Sequence, residues 1–197
     1  MNNYEYIIAG LPVFKQDAGK AAGIDAENLI AGIKEQCSKK DNETIDFLLS
    51  GFIPENLDAG FYEKALSHKN PFIREFFLFD LNVRNAKAEY LNTELGREPG
   101  LDKIAIGKEQ EFEEQEFEEY AHTKEVLSGK DLLERERGLD SLYWDKVEEL
   151  VIMDTLDLEL VLCFLVKLKI IERWLKLDPE TGKVLLRKLV DVIRKSK

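Results

Sequence analysis

From Pro71 onward the chain sets Phe72, Ile73, Phe76, Phe77, Leu81, Val83, Tyr90, Leu91 and Leu95 at the spacing of one helix face. Asn70 supplies an N-cap, Pro71 suits the first helical position, and Gly96 and Pro99 close the stripe. The pattern therefore predicts one helix of about 24 residues. Upstream, Asp25 is the expected cap of a helix carrying Leu29, Ile30, Ile33 and Cys37 on one side. Asp41 is the expected cap of the next, with Ile45, Leu48, Leu49 and Phe52 inward and Gly51 and Pro54 at its end. Asp58 opens a third, short piece through Phe61, Ala65 and Leu66. The first 23 residues are the least helical: Tyr4–Ala9 fits a strand or a short helix, and Gly10, Pro12, Gly19 and Gly23 then break it. Any strand is expected here.

Residues 97–108, with Pro99, Gly100 and Gly107, read as a connector. Beyond it helices are predicted over 109–127, 130–155 and 157–177, the last two broken near Leu156-Asp157. Asp178-Pro179 restarts a final helix with Val184, Leu185, Leu189, Val190 and Ile193 on its buried face. No run alternates as a half-buried strand would. The fold class is all-α, an antiparallel helical bundle with long helices and an irregular N-terminal segment. Residues 1–197 form a single helical domain, with sub-bundles 1–96 and 109–197 on either side of the connector.

Composition narrows the function. The chain is 44% hydrophobic and 34% charged, so it has the means to bury a core. A net charge of −11 argues against nucleic acid as a partner, since phosphate contacts need clustered Lys and Arg. Cys37 and Cys163 stand far apart without a CxxC, so neither a disulfide scaffold nor a cysteine-rich zinc site organises the chain. The most apolar window, Leu150–Ile171, is interrupted by Asp154, Asp157, Glu159, Lys167 and Lys169 and reads as a helix face with no direct membrane span. Met1-Asn2-Asn3 lacks the basic start of a leader, and a cytoplasmic location is expected.

Searches for catalytic chemistry yield little. Around Gly19-Lys20 the two diagnostic positions of a nucleotide cradle are Phe14 and Ala21, which leaves a glycine-rich turn. There is no G-x-G-x-x-G and no G-x-S-x-G. His68 follows a short helix, where an imidazole caps carbonyls or faces water. Glu119 and His122 make an E-x-x-H pair, the arrangement of di-iron carboxylate bundles, but the second pair such a site needs is missing. No catalytic, cofactor-binding or metal-binding residues are assigned.

The loudest local feature is acidic. Seven glutamates lie between Glu109 and Glu119, interleaved with Phe112 and Phe117 and followed by Tyr120. Residues 100–160 hold nineteen Asp plus Glu against seven Lys plus Arg, so the charge is concentrated there. One reading is a solvated helix face with core aromatics. The other is a docking surface for a basic partner, with Glu111, Phe112, Glu114, Phe117, Glu118 and Tyr120 as its residues.

The opening Tyr4-x-Tyr6-x-x-Ala9-x-Leu11-Pro12 resembles the start of a short bacterial family associated with V/A-type ATPase operons. That family is similar to the C-type subunit of those machines, the d-type subunit of the eukaryotic enzyme. Asp80-Leu81-Asn82-Val83-Arg84-Asn85 and the apolar helix from Leu160 to Trp174 fit the same comparison. The resemblance implies an all-helical, non-catalytic subunit without cofactors. Such a subunit joins the central rotor stalk to the membrane proteolipid ring during ion (proton) transport, and its place is peripheral to the inner face of the cell membrane. Two departures stand out: the longer C-type proteins build a funnel from three similar bundles, more than 197 residues supply, and Arg173-Trp174-Leu175 replaces their polar Asn-Leu-Arg-like run. Against this coupling role stand a free-standing helical adaptor with an acidic docking face and a carboxylate-bridged metal protein centred on Glu119 and His122.

Overall fold

Local capping chemistry starts the helices of the computed structural model, which describes residues 4–16, 24–106, 120–153 and 156–176. The Asp25 carboxylate accepts from the Asn28 N–H at 3.1 Å and starts α2 (Ala26–Gln36), which follows α1 (Tyr4–Ala9). Ser38, not Asp41, caps α3 (Lys39–Ser50). The Ser38 hydroxyl accepts from the Asp41 N–H at 3.2 Å while the Asp41 carboxylate accepts from the Ser38 N–H, also at 3.2 Å. Asp41 is thus the third-position half of a reciprocal capping box. A 3-10 turn (Pro54–Asn56) leads to α4 (Ala59–Leu66), capped by Asp58, and Asn70-Pro71 starts the 24-residue α5 (Pro71–Glu94).

Three further helices follow: α6 (Tyr120–Leu127), α7 (Leu132–Leu150), capped by Asp131, and α8 (Leu158–Lys176). Among the described residues the chain is 73% helical, with eight α-helices and no strand, so the fold is all-α. Tyr4–Ala9 takes the helical alternative. Helix α7 stops at Leu150, short of the expected 155, because its chain turns at Val151. The glycine-rich turn at 17–21, the acidic stretch 109–119 and the helix expected after Asp178 lie outside the described residues.

Helix α8 is the axis of the main core. Val161, Leu162, Leu165, Val166 and Leu168 are fully buried, because α1, α2, α3 and α7 all pack on this helix. The sequence predicts one apolar face; packing against four helices explains why the window is apolar nearly all round. Against this axis, α5 contributes Phe72, Ile73, Phe76, Phe77 and Leu81. The Phe77 ring meets Phe61 edge to face at 5.0 Å. Gly51 ends α3 under that ring: a Cβ there would lie 2.4 Å from Phe77, so the position demands room. A second, smaller core of Phe79, Val83, Leu127, Leu139 and Leu142 joins α5, α6 and α7.

The segment after α5 is strapped back onto it. Asn85 bonds Ile104 in both directions, at 3.0 and 2.9 Å, and Asn92 donates to the Leu101 carbonyl at 2.7 Å. Gly96 and Gly100, with φ of +62° and +80°, allow the sharp reversal that these bonds require.

Candidate functional site

Three helices converge on one polar seam because each repeats polar residues at three- or four-residue intervals. Asp80, Arg84 and Lys87 share a face of α5, Glu136, Asp140 and Tyr143 a face of α7, and Lys169 and Arg173 a face of α8. These faces border a cleft of about 320 Å³, closed by the 51–57 turn and floored by apolar side chains that include Phe52, Phe76, Val166 and Ile170.

Asp80 anchors the deep end. Only 4% of its surface is exposed, and three donors hold it: the Tyr62 hydroxyl at 2.6 Å, the Tyr143 hydroxyl at 2.7 Å and the Arg84 Nε at 2.8 Å. A carboxylate this buried needs such donors, since leaving its charge unpaired would cost several kcal/mol, on the order of 3–5. Burial first, and the Asp80 charge second, push both phenols above the ordinary tyrosine range, so they stay protonated and keep donating. Burial works to lower the Arg84 pKa, but the Asp80 charge outweighs it, and the guanidinium is held firmly charged.

Nearer the rim, Lys87 reaches across from α5 to Glu136 at 2.7 Å. Arg173 spans from α8 to both α7 carboxylates, Glu136 at 3.2 Å and Asp140. Trp174 Nε1 donates to Asp140 at 2.6 Å. The two carboxylates nonetheless shift in opposite directions. Burial tends to raise Glu136, but Lys87 and Arg173 together bring it below its usual value. Asp140 is raised by burial, which Arg173 and the Trp174 N–H only partly oppose. The cleft is thus a mixed-charge seam that ties α5, α7 and α8 together.

The residues singled out in the sequence stand elsewhere. Glu111, Phe112, Glu114, Phe117, Glu118 and Glu119 lie outside the described residues. Tyr120 opens α6, half-buried, and His122 is exposed on the same helix. Among the described residues no group of three or more His, Cys, Asp or Glu is placed to hold a metal ion. His68 neither caps carbonyls nor simply faces water. It stacks on Phe47 at 5.1 Å, and its Nδ1 accepts from the Asn70 N–H at 3.1 Å, with burial lowering its pKa. Cys163 is buried, which pushes its thiol up to about 11, and Cys37 is half-buried. Among the described residues no helix is long and apolar enough to cross a membrane.

The candidate residues of the sequence do not include the cleft, although two signals for it exist. Asp80 and Arg84 interrupt the apolar stripe of α5 at a helical spacing, and Lys169 and Arg173 do the same in α8. A family model described as a protein of unknown function, DUF2764, matches residues 53–197. The chain belongs to the DUF2764 family. The match spans α4 to α8, and with them the whole Asp80–Arg173 seam, whereas α1, α2 and α3 precede it. No curated protein and no solved structure matches the chain.

Proposed function

We propose that this DUF2764 chain is a non-catalytic coupling subunit of a V/A-type ATPase, peripheral to the membrane, that joins the central stalk to the proteolipid ring. The observation that carries this reading is where its resemblance to the C-type socket proteins sits. The stretches Asp80–Asn85 and Leu160–Trp174, far apart in sequence, face each other across one cleft, with Asp80 and Arg84 on one wall and Val166, Lys169, Ile170 and Arg173 on the other. A rotor socket must pass torque between helices without shearing. Cross-bracing of α5, α7 and α8 through a buried carboxylate and a bridging arginine suits that load.

The stalk-facing surface is assigned to Glu111, Glu114 and Glu118, which steer a basic partner, and to one exposed aromatic among Phe112, Phe117 and Tyr120, which then locks it. The test is affinity purification of the tagged full chain from its own cells in mild detergent, with retained proteins identified by mass. The reading expects stoichiometric stalk and ring proteins. Recovery of the chain without any ATPase component would overturn it.

A further inference from the structure

The seam also contains an unspent cation. Lys87 is committed to Glu136, Arg173 to Glu136 and Asp140, and Lys169 to Glu172. Arg84 differs. Its Nε binds Asp80 Oδ2, the oxygen that Tyr62 also holds, so the guanidinium lies beside the Tyr62 hydroxyl. No hydrogen bond joins its Nη1/Nη2 edge to Asp80, and its side chain is 43% exposed along the cleft. That edge is the planar fork that matches a carboxylate bidentately. The fork is also fixed, because Asp80 is itself held by Tyr62 and Tyr143 and cannot swing.

Charge and shape define what fits. The charged lining is Asp80, Glu136 and Asp140 against Arg84, Lys87, Lys169 and Arg173, and Glu172, paired with Lys169, brings the local balance to neutral. A neutral balance gives a dianion such as phosphate no net attraction, so recognition falls to the Arg84 fork and the apolar wall beside it. Phe52, Phe76 and Ile170 offer apolar wall beside the fork. The volume of about 320 Å³ falls at the small end of ligand pockets.

We propose that the cleft binds a small organic carboxylate with an apolar body, its carboxylate paired with Nη1 and Nη2 of Arg84 and its body against Phe76 and Ile170. The site stands whether or not the chain couples a rotor.

Titration of the isotope-labelled full chain with 3-phenylpropionate, followed by the Arg84 Nε–H and Ile170 methyl resonances, tests it. The proposal expects saturable shifts at both. Affinity should fall by at least roughly tenfold for the neutral analogue 3-phenylpropanol and for inorganic phosphate. Arg84→Gln should abolish the response. Because that change also unpairs Asp80, Ile170→Glu serves as a second variant: it leaves the Asp80–Arg84 pair intact, sets a repelling charge on the wall, and should weaken binding by a similar factor. Absence of saturable shifts, equal affinity for the alcohol or for phosphate, or unchanged binding in Ile170→Glu would each overturn the proposal.

Discussion

The Tyr143 hydroxyl on α7 donates at 2.7 Å to Oδ1 of Asp80 on α5, a bond that spans 63 positions of sequence and meets the Tyr62 bond to Oδ2 of the same carboxylate. Tyr143 also lies in the aromatic layer, tilted against Phe76 and edge-on to Phe79. One side chain therefore serves both the polar seam and the packing around it.

Asp80→Ala should destabilise the chain by about 3–5 kcal/mol, since Arg84 loses its counter-ion and two buried phenols lose their acceptor. Tyr143→Phe keeps the ring and removes only the donor, so about 1–2 kcal/mol is expected. Urea unfolding followed by circular dichroism reads both, with the slope unchanged. A loss for Tyr143→Phe equal to that for Asp80→Ala would mean that the ring environment, not the hydrogen bond, is what changed.

Glu136 and Asp140 should respond differently to neutralisation. Glu136 is lowered in the fold, so its stabilising contribution is present above the ordinary carboxylate value of 4.5 and fades as pH falls through the lower folded value. Asp140 is raised from 3.8, so ionising it in the fold is disfavoured, and its contribution is fullest at low pH and declines as pH rises through the folded value. Glu136→Gln should therefore be the costlier change at neutral pH, by up to about 1 kcal/mol given its partial exposure. Asp140→Asn, which keeps an oxygen acceptor for Trp174, should be near neutral. Thermal unfolding of both variants at neutral and acid pH checks the order; the gap should close as the solution is acidified.

Glycine positions give an opposed pair. Gly51→Ala places a Cβ 2.4 Å from the Phe77 ring and should cost about 1–3 kcal/mol. Gly32→Ala, inside α2 with no neighbouring atom within 4 Å of the new Cβ, should stabilise by about 0.5–1 kcal/mol through helix propensity. Melting temperatures shifting in opposite directions are the expected result.

Charge reversal at Glu111, Glu114 and Glu118 together should slow association with a basic stalk partner and flatten its salt dependence, while leaving the melting temperature of the isolated chain unchanged. Stopped-flow association at low and high salt measures this. Identical rates at low salt would remove these glutamates from the docking surface.

Sequence and structure agree where the physics is local. Asp25, Asp58 and Asn70 act as caps because a cap needs only its next three residues, and Asn70-Pro71 fixes the start of α5 without help from the rest of the fold. Ser38 and Asp41 compete for the same role three residues apart, and only the reciprocal bonds separate them. The Asp80 hub depends on Tyr62 and Tyr143, 18 and 63 positions away. An Asp and an Arg four apart in a helix look the same whether they face water or a core. Helix α8 illustrates a related ambiguity: apolar residues all round indicate burial but not which of α1, α2, α3 and α7 provides it.

The coupling role is tested most directly by measuring ATP hydrolysis and ATP-driven ion uptake side by side. The measurements use membrane vesicles from cells lacking this chain and from cells in which it is restored. The account predicts that hydrolysis by the ATPase head persists without the chain while ion uptake collapses, and that restoration recovers uptake. Ion uptake at the same rate per ATP hydrolysed in its absence would contradict it.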